Sequence, residues 1–139
     1  MVNTIDMQDM RYLNLFSKIT QVDTRFCFSY NDTLIFCVPK LKLAMALGRD
    51  ASNLRRLSDI LRKRVRIIPA PRGIEDAKGF IECIVRPVVF NSLEVTPNEL
   101  IINAGSQQNK ALLMGRNKKR LLEMQDIVRN YFSREFRII

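Results

Sequence analysis

The stretch AMALGRDASNLRRL at residues 44–57 recurs as ALLMGRNKKRLLEM at residues 111–124, displaced by 67 positions. Seven residues are identical within the nineteen positions that begin with the first alanine of each stretch, and conservative apolar exchanges fill many of the gaps. Such self-similarity indicates a tandem duplication. We therefore predict two units of one fold, at residues 1–69 and 70–139, with a proline-containing join.

The two copies differ in length near their ends. RVRII at residues 64–68 matches EFRII at residues 135–139 with a displacement of 71 rather than 67, so the second copy has gained four residues. Four residues correspond to about one turn of an α-helix. We therefore expect the last helix of the second copy to be the longer one.

Hydrophobic spacing predicts the same order of elements in both copies. In the first copy we predict a helix at 4–19 capped by Asn3 or Thr4, hairpin strands within 21–30 and 34–38 around Asn31–Asp32, helices at 39–47 and after residue 51, and a strand at 65–68. In the second copy we predict a helix at 74–84, hairpin strands at 88–95 and 100–103, a helix capped by Gly105–Ser106, a helix at 118–132 and a strand at 136–139. The predicted fold class is therefore α+β, with the order α-β-β-α-α-β twice and helices packed on one face of each three-stranded sheet.

Composition excludes several kinds of chemistry. The chain has 139 residues, a formal charge of +9 and 47% hydrophobic residues, enough apolar material for real cores. It contains no His, and its three cysteines show no metal-binding spacing. We therefore predict a protein that is not an enzyme, with no catalytic residues, no metal ligands and no cofactor.

Cysteine usage and the N-terminus predict a location. An odd, scattered set of cysteines favours a reducing compartment, and neither a signal peptide nor a membrane-spanning segment is predicted. We expect a cytoplasmic protein with no membrane partner. Cys27 and Cys37 lie near each other across the predicted hairpin, but we assign them no function. The aromatic residues Phe26, Phe28 and Phe36 are interpreted as core rather than as base-stacking residues.

Charge alternates along the chain. Residues 1–38 hold three basic and four acidic side chains, and residues 39–72 hold ten and two. Residues 73–104 hold two and five, and residues 105–139 hold eight and three. Positive charge is therefore concentrated around the repeated stretch in both copies. We interpret it as a surface that binds nucleic acid rather than as the solvated face of an ordinary helix.

Each repeated stretch contains a glycine followed by an arginine between two predicted helices, at Gly48–Ala51 and at Gly115–Lys118. A helix N-terminus presents backbone N–H groups and a positive dipole end, which suits a phosphate. A cation at that end is electrostatically unfavourable, so Arg49 and Arg116 indicate a bound anion. A glycine at one such position is usually only a helix terminus, but its recurrence with the arginine favours a binding loop.

These residues carry a family resemblance. Gly48-Arg49-Asp50-Ala51 and Gly115-Arg116-Asn117-Lys118 resemble the G-x-x-G loops of type II KH domains, which clamp the backbone of about four nucleotides beside an apolar groove for the bases. The wider run at residues 44–57 is similar to the KH pair of the NusA family of transcription termination and antitermination factors, and the length is similar to its short archaeal form. The resemblance implies KH domain 1 at residues 1–69 and KH domain 2 at residues 70–139.

The resemblance implies a single-stranded RNA-binding protein that regulates transcription. RNA polymerase or other transcription factors are candidate protein partners, and a monomer is expected. The predicted RNA-binding residues are the two loops and their basic flanks: Gly48, Arg49, Asp50, Ala51, Gly115, Arg116, Asn117, Lys118, Lys42, Arg55, Lys119 and Arg120. The alternative is an RNA-binding or protein-interaction module of the KH fold that acts in ribosome assembly or RNA processing.

The sequence departs from the family pattern at the last loop position, where Ala51 and Lys118 replace glycine. If this position is the first residue of the following helix, alanine and lysine fit well because both are good helix formers. If it serves close approach of the sugar-phosphate chain, Lys118 either crowds the strand or holds a phosphate with its own side chain. We therefore expect the second loop to be the less secure site.

Overall fold

A computed structural model describes residues 7–24 and 26–139. These residues form two compact units, with the division between Ala70 and Pro71. Each unit combines helices with one three-stranded sheet, so the fold class is α+β. The predicted cap at Asn3 or Thr4 lies outside the described residues.

The first unit contains three helices and three strands. They are α1 (Met7–Thr20), β1 (Cys27–Tyr30), β2 (Thr33–Val38), α2 (Leu43–Leu47), α3 (Ser52–Leu61) and β3 (Arg64–Pro69). Strand β2 is central: it pairs antiparallel with β1, where Cys27 is opposite Phe36, and parallel with β3, where Leu34 is opposite Val65. The predicted order of elements is therefore confirmed for this unit.

The hairpin turns where the sequence predicts it. Asn31 and Asp32 both have positive φ, at 52° and 58°. Two such residues between antiparallel strands form the tight turn whose twist matches that of the flanking strands, and Asn and Asp tolerate this backbone better than other residues with a Cβ. The turn sets the register that brings Phe36 to the helical side.

The core of the first unit lies on the side of the sheet that carries the helices. Phe16 of α1 stacks on Phe36 of β2 with ring centroids 4.4 Å apart, and both side chains are fully buried. Ala46 of α2 and Leu57 of α3 belong to the same cluster. Alternation along β2 also buries Ile35, on the opposite face. The core assignment of Phe36 is therefore confirmed, and the central strand is buried on both faces.

The second unit repeats the order. It contains α4 (Ala77–Val85), β4 (Ser92–Val95), β5 (Glu99–Asn103), α5 (Gln107–Met114), α6 (Lys119–Phe132) and β6 (Glu135–Ile138). Strand β5 is central, antiparallel to β4 and parallel to β6, as β2 is in the first unit. Ser106 caps α5, as predicted, by accepting a hydrogen bond from the Asn109 N–H at 3.1 Å.

The four extra residues of the second copy lie in α6, as predicted. Helix α3 has 10 residues and α6 has 14, and each is followed by a residue in the left-handed conformation, Arg62 with φ 53° and Ser133 with φ 56°. The added turn carries Tyr131 and Phe132, whose rings lie 4.9 Å and 5.9 Å from that of Phe80 in α4. The insertion therefore brings additional aromatic packing against α4.

Several predicted element lengths are wrong. Strand β1 begins at Cys27 rather than near residue 21, because the chain turns after α1 at Gln21 (φ 61°) and Thr20 Oγ1 accepts the Val22 N–H at 3.1 Å. Strand β4 begins at Ser92 rather than at residue 88, since the Val88 N–H bonds to the Val85 carbonyl at 3.0 Å and closes a turn.

The helix predicted at residues 39–47 is shorter than expected. A single 3₁₀ turn at Lys40–Lys42 precedes α2, and Pro39 is extended rather than helical, with ψ 139°. The predicted helix at 74–84 likewise opens with a 3₁₀ turn at Ile74–Asp76 before α4.

No disulfide bond involves Cys27, Cys37 or Cys83. Cys27 is opposite Phe36 and packs with the helical side, whereas Cys37 is the next residue along β2 and points to the other face. The two thiols are therefore neighbours across the hairpin but lie on opposite faces of the sheet. Within residues 7–24 and 26–139, no helix is long and apolar enough to cross a bilayer.

Candidate nucleic-acid interface

The two predicted loops occupy the same place in their units. Gly48–Ala51 joins α2 to α3, and Gly115–Lys118 joins α5 to α6, each through a single 3₁₀ turn. Both arginines of these loops are exposed. The duplication therefore yields one exposed glycine-arginine loop in each unit.

The backbone of the two loops is nearly identical although the sequences differ. Gly48 has φ 78° and ψ 173°, and Gly115 has φ 75° and ψ 173°. Asp50 and Asn117 are left-handed, with φ 54° and 56°, and so are the residues that follow them. Two consecutive left-handed residues after an arginine thus recur with different side chains.

The glycines are required at these positions. The φ and ψ angles of Gly48 and Gly115 fall in a region that is essentially open only to glycine. A Cβ on Gly48 would lie 2.9 Å from Ser52 Oγ and from the amide Cγ of Asn53. A Cβ on Gly115 would lie 2.9 Å from the backbone nitrogen of Arg120 and closer still to that residue's Cγ. The backbone angles and the lack of space for a Cβ therefore both require glycine at positions 48 and 115.

The last loop position is not helical. Ala51 has φ 58° and Lys118 has φ 59°, and each is the residue before the first residue of its helix. The interpretation that alanine and lysine stand there as good helix formers is therefore wrong. A left-handed backbone costs an L-residue about 1–2 kcal/mol, so both loops hold a strained residue where the family pattern has glycine. Backbone strain of this kind clusters at functional sites.

Some amide groups of the loops are already bonded. The Ala51 N–H donates to the Gly48 carbonyl at 3.1 Å, and the Lys118 N–H donates to the Gly115 carbonyl at 3.2 Å. The N–H groups of Ser52 and Lys119 donate to the arginine carbonyl of their own loop. The expectation that the helix N-terminus offers its N–H groups to a phosphate is therefore wrong for these amides. An anion at either loop depends more on cationic side chains.

Exposed cations flank the first loop on both sides. Lys40 and Lys42 lie on the turn before α2, Arg49 lies in the loop, and Arg55 and Arg56 lie in the first half of α3. All five side chains are exposed, and none makes an ion pair with another residue among those the structure describes. The predicted sites Lys42, Arg49 and Arg55 therefore stand free to meet a phosphate.

The basic residues predicted at the second loop lie in the loop and at the start of α6. Arg116, Lys118 and Lys119 are consecutive or nearly so, and all are exposed. Arg120 is different, because its Nε lies 3.0 Å from Glu123 Oε1 and its side chain is only 12% exposed. The charge of Arg120 is therefore neutralised by Glu123, and its side chain packs against Gly115.

Exposed apolar residues beside the loops were not identified from the sequence as site residues. Met45 is 55% exposed and Leu112 is 53% exposed, and the duplication aligns the two. Leu41 is 98% exposed, and Leu122 is 57% exposed. Helical spacing made Leu41 and Met45 resemble the buried face of a helix. The recurrence of Met45 as Leu112, about one turn before each glycine-arginine pair, was the signal that could have distinguished these two residues.

Among the described residues, no group of three or more His, Cys, Asp or Glu side chains is placed to hold a metal ion. A shallow cavity of about 310 Å³ lies in the second unit at the start of α5. Its lining residues are Asn103, Gly105, Ser106, Gln107, Lys110 and Ile139. None of these is a predicted site residue.

No protein-family model matches this chain, and no curated protein matches it. A solved structure does: the crystal structure of APE1850 matches with a TM-score of 0.67 and 23% sequence identity. The match covers 97% of this chain and 99% of that chain. At this identity, the comparison shows a shared fold for essentially the whole chain.

Proposed function

We propose that the chain is a single-stranded RNA-binding protein composed of two type II KH units, and that it regulates transcription termination or antitermination in the manner of the NusA family. The observation that carries the proposal is the recurrence of one strained loop geometry with a glycine and an exposed arginine, at Gly48–Ala51 and Gly115–Lys118. The same strained backbone occurs in two loops of different sequence, and a binding role of these loops explains this because backbone strain clusters at functional sites.

The order of elements supports the KH part of the proposal. Each unit has the order α-β-β-α-α-β, and the glycine-arginine loop lies between the two consecutive helices, where the family has its G-x-x-G loop. Exposed cations beside each loop suit the phosphates of a nucleic acid.

Apolar side chains beside the loops support single-stranded RNA as the ligand. Unstacked bases need apolar or aromatic surface, and sequence-specific RNA recognition uses such bases. Met45 and Leu112 are half-exposed at matching positions one helical turn before Gly48 and Gly115. We propose that they contact bases whose phosphates lie along the loops.

The transcription part of the proposal rests on the resemblance of residues 44–57 to the NusA family. From this resemblance we propose RNA polymerase or other transcription factors as protein partners. We propose the cytoplasm as the location. A role in ribosome assembly or RNA processing uses the same RNA-binding chemistry. Binding rather than catalysis is the proposed activity in either case.

The test is a fluorescence anisotropy titration of the purified protein with a random single-stranded RNA pool at about 150 mM salt. The double variant Arg49→Asp, Arg116→Asp is titrated beside it. We expect the wild type to bind and the variant to lose binding while its circular dichroism spectrum stays native. Equal affinities would remove both loops from the site and favour the protein-interaction alternative.

A further inference from the structure

The two loops share one backbone but carry different charge. In the first loop, Arg49 is followed by the exposed carboxylate of Asp50 and then by Ala51. In the second loop, Arg116 is followed by neutral Asn117 and cationic Lys118, both exposed. The formal charge is therefore zero in the first loop and +2 in the second, on backbones whose φ angles agree within a few degrees.

Four positions that flank the loops show the opposite distribution, whereas at three others only the second unit has a cation, because Leu43, Ser52 and Asn53 correspond to Lys110, Lys119 and Arg120. The duplication aligns Lys40, Lys42, Arg55 and Arg56 of the first unit with Gln107, Asn109, Leu122 and Glu123 of the second. Four exposed cations thus correspond to two neutral polar residues, an exposed leucine and an acid. The acid, Glu123, pairs with Arg120 and removes a further cation from the second flank.

From this exchange we infer that the two units hold RNA phosphates in different ways, an inference that rests on the proposed function. In the second unit the loop itself clamps a phosphate, through Arg116 and Lys118. In the first unit Asp50 offsets Arg49, and the phosphates are held by the cations on the flanking turn and on α3. The second loop is therefore the stronger clamp, contrary to the expectation drawn from Lys118 in the sequence.

Lys118 is placed to bind rather than to crowd a strand. Its side chain is exposed, and it follows Asn117 on a left-handed backbone that the first loop accommodates with Ala51. Because Asp-Ala and Asn-Lys hold the same conformation, the two pairs can be exchanged between the loops with little change in backbone. The molecule thus supplies its own matched controls.

The experiment exchanges these pairs in the full-length protein. One variant is Asn117→Asp, Lys118→Ala and the other is Asp50→Asn, Ala51→Lys, and each is titrated with a fluorescein-labelled oligouridylate across a salt series. The first exchange removes two units of positive charge from the clamp, and we expect it to weaken binding about tenfold, on the scale of Coulomb attraction between exposed charges. Its slope of log K against log salt should become shallower by about 0.7 for each phosphate no longer neutralised.

The second exchange should strengthen binding and steepen the slope, because it converts a neutral loop into a cationic one. A third variant, Arg55→Leu, Arg56→Glu, gives α3 the residues that α6 has at the aligned positions, and we expect it to weaken binding as the first exchange does. Native circular dichroism spectra and melting temperatures are expected throughout.

The outcomes separate this inference from the proposed function. A wild type that does not bind the oligouridylate at any salt overturns the proposed function and the inference with it. A wild type that binds, with both loop exchanges leaving affinity and slope unchanged, overturns the inference alone. If the Asn117→Asp, Lys118→Ala variant fails to fold, the Asp50→Asn, Ala51→Lys variant decides. The inference is overturned if that second variant does not bind more tightly than the wild type.

Discussion

At the scale of single residues, the loop glycines combine a backbone requirement with a packing requirement. We predict that Gly48→Ala and Gly115→Ala each destabilise the protein by about 1–3 kcal/mol, the cost of a residue with a Cβ in a region open only to glycine. The larger loss is expected at Gly115, where the new Cβ meets a backbone nitrogen, and urea denaturation followed by circular dichroism measures both.

Gly79 is the matched control. It lies within α4, and a Cβ placed there meets nothing within 4 Å. Because glycine is a poor helix residue, Gly79→Ala should stabilise the protein by about 0.5–1 kcal/mol. Loop variants that behave like Gly79→Ala would contradict the loop geometry described for Gly48 and Gly115.

At the scale of elements, α5 depends on a single capping side chain. Ser106 Oγ accepts the Asn109 N–H at 3.1 Å, and the helix has only 8 residues. We predict that Ser106→Ala costs about 1 kcal/mol of unfolding free energy and that Ser106→Asp costs much less, because aspartate also caps helices well. Chemical denaturation of the three proteins tests this, and an alanine variant as stable as the wild type would show that the cap contributes nothing.

Element order was predictable, but element length was not. Hydrophobic spacing correctly predicted a helix, which the structure describes at Met7–Thr20, and the Asn31–Asp32 turn correctly predicted a hairpin. In both cases the hydrophobic spacing and the capping or turn residues indicate the same structure. Strand β1 was predicted too long because Phe26 continues the alternation of Phe28 and Tyr30, whereas the strand register with β2 starts at Cys27, and Phe26 contributes its carbonyl, which accepts the Cys37 N–H at 3.4 Å. Pairing depends on where the partner strand lies, which a single stretch of sequence does not contain.

At the scale of the whole molecule, the charge of +9 predicts strong salt dependence. If the protein neutralises about four RNA phosphates, log K should fall against log salt with a slope of about −3 on single strands. Anisotropy titrations of the wild type with the random RNA pool across a salt series measure this slope. A flat dependence would contradict phosphate clamping and leave apolar contacts as the basis of binding.

The candidate site was predicted in part. Repetition identified both loops, since a duplicated pattern shows which residues recur, and the excess of basic residues over 39–72 identified the cations beside the first loop. The sequence could not show that Arg120 rather than Lys119 pairs with Glu123, because both lie about one helical turn before that residue. Nor could it show that Met45 and Leu112 face solvent, since apolar spacing is the same on a covered helix face and on an uncovered one.

By itself, the sequence determined the duplication, the order of the elements, the α+β class and the position of one glycine-arginine loop in each copy, because these depend on local spacing and on repetition. Only the tertiary structure decided that Ala51 and Lys118 are left-handed, which loop amides are already bonded and which cations are free to bind. Those properties arise from how two helices meet at a turn and from which side chains then come within hydrogen-bonding distance. They are set by three-dimensional packing rather than by the order of residues along the chain.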